Sequence, residues 1–216
     1  CCSRGLKEGE SLISDKIRSD CSLDFSLIEE RQRTDIEFVV ETGNLQDIPY
    51  LYRRLGQLSG YAKQSDIQAT IFSQRLEHLR QTYKNSEKVR LFYQIWNEPL
   101  MTLNGEHMVT DMIELCGGIN IFSDADALVP YVNIESVLAA NPQIIISGGN
   151  KKSDLLDSEF WQKWKGISAV KNQHLYAIPS DLLQRHSDRI LEGTRLICEY
   201  IDLVRTVKLR DVMKDK

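Results

Sequence analysis

The alternation of β-type and helical text between Val89 and Gly149 constrains this chain more than any other feature. An apolar β-type run, Val89 to Gln94, leads into a turn that holds Trp96, Asn97, Glu98 and Pro99. A helical pattern follows over about Gly105 to Leu115, with Met108, Met112, Ile113 and Leu115 predicted inward. Gly117 and Gly118 supply a left-handed stop, and Ile119 to Phe122 reads as a short strand. Asn133 is the predicted N-cap of a helix over Ile134 to Ala140, which Asn141-Pro142 terminates. A second β-type run, Ile144 to Ile146, is closed by Gly148-Gly149. Strands alternating with helices call for a parallel sheet with crossover helices. Ligands of such sheets sit beyond the carboxyl ends of the strands. The loops that carry Trp96 and Tyr131 are therefore the first candidates for a site.

The flanking text is less regular. Residues 1–33 are polar and mixed in charge, and their only apolar cluster is Leu23, Phe25, Leu27 and Ile28, with room for a short helix near Ser26 to Gln32. Ile36 to Val40 reads as a strand. Asn44 or Gly43 is the expected cap of a helix whose apolar face is Ile48, Leu51, Leu55 and Leu58, and Gly60 ends it. A longer helical pattern, Ser65 to Tyr83, marks Ile67, Ile71, Leu76 and Leu79 as its buried side. Its length of roughly 28 Å suits either a rod bridging two lobes or an ordinary crossover helix, and periodicity does not separate the two. Beyond Gly149, Phe160, Trp161 and Trp164 share a helix face, and His174 to Ile178 forms a strand. Pro179-Ser180-Asp181 leaves the carboxyl end of that strand. A final amphipathic helix, Ser187 to Val207, carries Ile190, Leu191, Thr194, Ile197, Ile201, Leu203 and Val204. The charged tail that follows is expected to fray.

Composition excludes several classes. With 216 residues, 42% of them hydrophobic, the chain can bury a core without help from a disulfide or a metal. The net charge is −4 and no dense Lys/Arg cluster appears, which argues against nucleic-acid binding. No apolar run approaches membrane-spanning length. A start at Cys1 reads as a processed chain or a fragment. The five cysteines (Cys1, Cys2, Cys21, Cys116, Cys198) form no CxxC pair and no zinc spacing. Cys116 and Cys198 lie among apolar helix residues, as two buried thiols or, in an oxidising compartment, as a disulfide. Catalytic motifs are missing: there is no HExxH, GxGxxG, Walker loop or GxSxG. Asp124 and Asp126 have no evident partner base, and His78, His107, His174 and His186 are scattered and read as surface residues. Neither an enzyme, nor a metal site, nor a cofactor is expected.

The segments FYQIWNEPLMT, LCGG, NIF, VPY, NIESVLAANPQIII and SGG, in this order, resemble the second lobe of class III periplasmic binding proteins. Within that class they are most similar to the vitamin B12 (cobalamin) binders of ABC importers. DIPYLYRRLGQLSG is similar to the helix before the interlobe spine, and IPSDLLQRHSDRILEGTRLICEYI to the closing loop and helix. The resemblance covers about Asp35 to Val207. It implies an α/β fold of two lobes joined by a long rigid helix, with the ligand between them. Residues 65–84 would be that spine, residues 85–208 a complete C-terminal parallel-sheet lobe, and residues 209–216 a charged tail. Residues 34–64 would be a remnant of the N-terminal lobe, with residues 1–33 unassigned. A first lobe needs roughly 100 residues, so a truncated one is expected here.

The same resemblance implies site roles. Trp96 and Tyr131 would be aromatic walls for a flat, amide-edged corrinoid, and Asp181 and Arg185 would contact its polar groups. On the residues alone, Trp96 is equally a lid on the core, and Asp181 with Arg185 equally a surface ion pair at helical spacing. Glu135 would meet an arginine of the importer permease, although alone it reads as a first-turn carboxylate at a helix dipole. Cys116 and Cys198 would be paired as a disulfide. The implied protein is a periplasmic monomer, without membrane insertion, that delivers cobalamin to its permease. Two alternatives stand beside it: an iron-siderophore or haem binder of the same class, and a lone α/β lobe acting as a non-binding interaction protein.

Overall fold

A computed structural model describes residues 43–149 and 158–214. The predicted strand Ile36 to Val40 and the unassigned residues 1–33 lie outside the described residues. The chain divides into two compact units, Cys1–Thr70 and Ile71–Lys216.

In the first unit, helix α1 spans Asp47–Ser59. Its start is held by Asp47, whose Oδ2 accepts the backbone N–H of Gly43 at 2.9 Å and of Asn44 at 3.0 Å. The predicted cap at Asn44 lies one turn further out: its Oδ1 accepts from Gln46 N, and Gln46 occupies the cap position without a side-chain bond. Gly60, at φ +79°, ends the helix in the left-handed conformation. Ile48 and Leu51 are buried, but Leu55 is exposed, contrary to its predicted place on the apolar face. The reason is the close approach at Gly56, where an added Cβ would fall 2.2 Å from Ser65 Cβ. That contact turns the packed side of α1 towards Ile48 and Gly56 and leaves Leu55 in solvent.

Helix α2 runs from Ala62 to Tyr83, starting earlier than predicted. Its buried stripe also differs from the expected one. Ala69, Phe72 and Leu76 are buried, whereas Ile67 and Ile71 are exposed. The segment carries two apolar stripes at helical spacing, and packing selects the one with Phe72.

In the second unit, strands β1 (Val89–Gln94), β2 (Gly118–Asn120), β3 (Ile144–Gly148) and β4 (Leu175–Ile178) form a parallel sheet of order β2-β1-β3-β4. The crossovers are α3 (Met108–Leu115), α4 (Ile134–Ala140), and the pair α5 (Ser158–Gln162) and α6 (Ser168–Lys171). Short α7 (Asp181–Gln184) and long α8 (Arg189–Lys214) follow β4. β2 is shorter than the predicted Ile119 to Phe122, and of Gly117 and Gly118 it is Gly117, at φ +76°, that is left-handed, while Gly118 opens the strand. Trp164 lies in the turn after α5 rather than on the helix with Trp161. α8 continues as helix to Lys214, through the tail expected to fray, and Leu203 is exposed on it.

The central strands β1 and β3 are buried on both faces along most of their length, as parallel strands between helices are, whereas the edge strands are partly open, with Ile119 of β2 exposed. Phe92, Val137, Ile145, Trp161, Ile167, Ala169 and Val170 make one core layer, with the Phe92 and Trp161 rings edge to face at 5.8 Å. Trp161 Nε1 donates to Gln94 Oε1 at 2.8 Å, which satisfies both polar groups inside that layer. α8 packs against α3, α7, β1 and β4. Cys116 and Cys198 are joined by a disulfide, with Cα atoms 4.7 Å apart, and this bond ties the end of α3 to α8. Arg205 reinforces the junction: its Nε donates to Glu87 O at 2.8 Å and its Nη2 to Cys116 O at 2.7 Å.

Candidate functional site: an aromatic ledge beyond the strand ends

Four connections leave the carboxyl ends of the parallel strands: Ile95 onward from β1, Ile121 onward from β2, Gly149 onward from β3, and Pro179 onward from β4. The first does not enter its helix directly. The chain turns through Trp96 to Pro99, returns, and pairs with itself. Ile95 N donates to Met101 O at 2.9 Å and Met101 N to Trp96 O at 3.1 Å. On its other side, residues 100–104 pair antiparallel with residues 128–132. Val132 N donates to Leu100 O, Thr102 N to Pro130 O, and Asn104 N to Leu128 O, all at 3.0–3.1 Å. Met101 is thus bridged to Trp96 on one side and to Tyr131 on the other. Two residues 35 positions apart in the chain are brought onto one small antiparallel annex above β1.

Both aromatic rings face solvent. Trp96 is 62% exposed and Tyr131 71%, so the reading of Trp96 as a lid on the core is wrong. Trp96 Nε1 donates to Glu98 O at 3.0 Å, which fixes the indole and uses its one donor. Leu128 and Val129 are exposed in the same loop as Tyr131. The result is an apolar, aromatic ledge on a hydrogen-bonded base.

Asp181 and Arg185 lie beyond the end of β4, on the same edge of the sheet as Trp96. They are not an ion pair. Asp181 Oδ2 binds Arg189 Nη1 at 2.7 Å. α7 ends at Gln184, and Arg185 is extended at φ −95° and ψ 120°, so helical spacing does not carry its side chain back to Asp181. Arg185 is exposed and makes no ion pair among the described residues. Glu135 stands in the first turn of α4, whose cap is the predicted Asn133 accepting from Ser136 N at 2.8 Å, and its carboxylate is exposed.

The annex rests on a polar lattice that the sequence did not announce. Asn104 Nδ2 donates to Ala125 O at 3.1 Å, and its Oδ1 accepts from Glu106 N at 3.0 Å. Thr110 Oγ1 donates to Asn104 O at 2.6 Å. Asn120 Nδ2 donates to Leu103 O at 2.8 Å and to Thr110 Oγ1 at 2.9 Å. All three side chains are buried.

His107 caps α3, its Nδ1 accepting from Val109 N at 3.1 Å. Burial holds its pKa below the usual imidazole value, and the charge of nearby His186 adds to the effect. Burial lowers His186 as well. Of the four histidines read as surface residues, only His78 is exposed; His174 is buried, with Nδ1 3.2 Å from Gln143 O. Among the described residues, no group of three or more His, Cys, Asp or Glu side chains is placed to hold a metal ion. No helix of the described residues is long and apolar enough to cross a membrane. Chemically, the arrangement offers stacking area, an exposed guanidinium and an anchored carboxylate, which suit a flat ligand with a polar edge.

A family profile described as periplasmic binding protein matches residues 17–182. The chain belongs to the periplasmic binding protein family. Its relatives include the vitamin B12-binding protein of Vibrio cholerae, 31% identical over 166 residues, which cover 76% of this chain and 59% of that protein. That of Pectobacterium carotovorum is 30% identical over 75% of this chain and 57% of its own length. The chain therefore spans less than two thirds of these curated relatives. Among solved structures, the periplasmic vitamin B12 binding protein of Vibrio cholerae superposes with a TM-score of 0.70 at 30% identity, covering 83% of this chain and 70% of that one. A possible iron-binding, periplasmic solute-binding protein from Staphylococcus epidermidis gives a TM-score of 0.70 at 25% identity, covering 82% and 69%. The α/β fold with a parallel sheet is that of class III periplasmic binding proteins, a family of substrate-binding proteins of ABC transporters.

Proposed function

We propose that this chain is a substrate-binding protein of an ABC importer and that its ledge is one wall of a corrinoid site. The observation that carries the reading is the pairing of Trp96 and Tyr131 across Met101, with both rings exposed beyond the strand ends. A corrin ring is flat and edged with amides. Trp96 and Tyr131 supply stacking surface for its face. Arg185 donates to its carbonyl or phosphate oxygens, and Asp181, anchored by Arg189, accepts from an amide N–H. Glu135, exposed in the first turn of α4, meets an arginine of the permease and sets the register of docking. The protein works in the periplasm and delivers its ligand without chemistry. Cobalamin binding by relatives of about 31% identity supports the choice of ligand.

The test is titration with cyanocobalamin, read by tryptophan fluorescence. Quenching at micromolar ligand is expected, and Trp96→Ala and Tyr131→Ala should each weaken binding at least tenfold, the order of a lost aromatic contact of about 1.4 kcal/mol. A second reading, an iron-siderophore or haem binder, draws on the Staphylococcus epidermidis structure. Quenching by ferric siderophores or haem but not by cyanocobalamin would select it. If neither quenches, the ledge is not a binding wall, and a lone α/β lobe with an interaction role replaces both.

A further inference from the structure

The capping histidine of α3 is joined to the ledge by a continuous set of hydrogen bonds. His107 Nδ1 accepts from Val109 N, and His107 O accepts from Thr110 N at 2.7 Å. Thr110 Oγ1 then donates to Asn104 O. Asn104 is the residue whose N–H pairs with Leu128 O, three positions from the Met101 bridge between Trp96 and Tyr131. Its own Oδ1 holds the N–H of Glu106, the residue before His107. The first turn of α3 and the base of the ledge are thus one construction.

A cap of this kind has a property that the commoner Ser, Asp or Asn caps lack over the physiological range. The bond needs a lone pair on Nδ1. Protonated imidazole has none, since both ring nitrogens are donors. A protonated His107 would set N–H against the N–H of Val109 and place a positive charge at a helix N-terminus, where it is repelled. Among the described residues, the titratable group of another element that acts on it electrostatically is His186, in the loop after α7. When both are protonated, that pair adds like-charge repulsion. Glu106 and Asp111 flank His107 in its own segment.

We propose that neutral His107 is a positioning residue for the ledge, so that acidification uncaps α3, loosens the Asn104 lattice and weakens ligand binding. This regulation rests on the corrinoid reading for its ligand but not for its conformational part. Because burial disfavours the charged form, the change falls below the ordinary imidazole midpoint of about 6.5. A change of ligand protonation is not required.

The experiment compares wild type, His107→Asn, His107→Ala and His186→Asn between about pH 7.5 and about pH 5, a window chosen to span imidazole titration. Cyanocobalamin affinity is measured at both ends, together with the exchange protection of the Val109, Met101 and Thr102 amides, corrected for intrinsic rates, without ligand. Wild type should lose affinity several-fold on acidification, the scale of one helix cap. Asn supplies an acceptor that does not titrate, so His107→Asn should bind with the same affinity at both pH values. His107→Ala should be weakened at both. His186→Asn should keep the acid response and shift it to higher pH, because a like charge is removed. A flat wild-type profile, or a His107→Asn variant that loses as much as wild type, overturns the proposal. If no variant binds cyanocobalamin, the corrinoid reading fails alone. The proposal then stands if acid lowers amide protection in wild type but not in His107→Asn, and falls if it does not.

Discussion

Removing the Cys116–Cys198 bond should cost more stability than any other change that leaves the core side chains in place. The bond closes a loop with a sequence separation of 82 residues. On the chain-entropy model, a loop of that size removes about 15 cal/mol/K from the unfolded ensemble, or about 4.5 kcal/mol at 25 °C. Both cysteines are fully buried, so replacing them with alanine adds a small cavity cost, while residual structure in the unfolded chain subtracts from the entropic part. A net loss of about 3–5 kcal/mol is expected for the Cys116→Ala, Cys198→Ala double variant. The assay is equilibrium urea unfolding followed by tryptophan fluorescence. Trp96, Trp161 and Trp164 all lie in the unit that contains the bond, so the signal reports on the right part of the chain. Each single variant should lose nearly as much as the double, because the cross-link is either present or absent. Dithiothreitol should bring wild type down to the double variant and leave the double variant unchanged. Additive single losses, or a double-variant loss below about 1 kcal/mol, would refute the account.

Three further outcomes follow from the same unit. Arg205→Leu should destabilise it by about 3 kcal/mol in urea unfolding, since Glu87 O and Cys116 O lose a charged donor in a buried setting. Gly193→Ala should destabilise by about 1–3 kcal/mol despite the better helix propensity of alanine, because the new Cβ would lie 2.3 Å from Leu182 O; Gly166→Ala, with nothing within 4 Å, is the neutral control. Stability should fall on acidification. His107 and His186 both have folded pKa values below 6.5, so the unfolded chain takes up protons first as pH drops through that value, and the stability present above it is lost until the folded groups titrate. A midpoint in urea that is flat with pH, or a slope that His107→Asn leaves unchanged, would contradict this.

The sheet was legible because parallel strands announce themselves. β1 spans the residues expected of it, and Asn133, Gly60 and Gly117 act at the ends assigned to them, since caps and left-handed stops are local chemistry. Errors arose where two local solutions were equally good and distant packing chose between them. The segment IQATIF in α2 offers Ile67 and Ile71 on one stripe and Ala69 and Phe72 on another; periodicity counts both, and only the burial of Phe72 decides. Asp181 and Arg185 look like an ion pair at a spacing of four, but the helix between them stops at Gln184, and the true partner, Arg189, returns from the start of α8.

The site divides along the same line. Trp96 and Tyr131 were visible because the alternation of strands and helices puts their loops beyond the carboxyl ends of the strands, where ligands of parallel sheets sit. Their neighbourhood was not, because Met101 and the Asn104–Thr110–Asn120 lattice act through pairings between separate loops. His107 was hidden for a different reason. Helix starts are recognised by Ser, Thr, Asp or Asn, and a histidine in that place reads as an ordinary surface residue. Of those caps only Asp also titrates, and it does so well below the imidazole range. The residue that departs from the usual cap chemistry is therefore the one that gives the base of the ledge a dependence on pH below the ordinary imidazole midpoint. A sequence scan for a titrating cap should look for histidine directly before an apolar helical run, as in GEHMVTDMIEL, with Asn or Thr within a turn to bind the neighbouring loop.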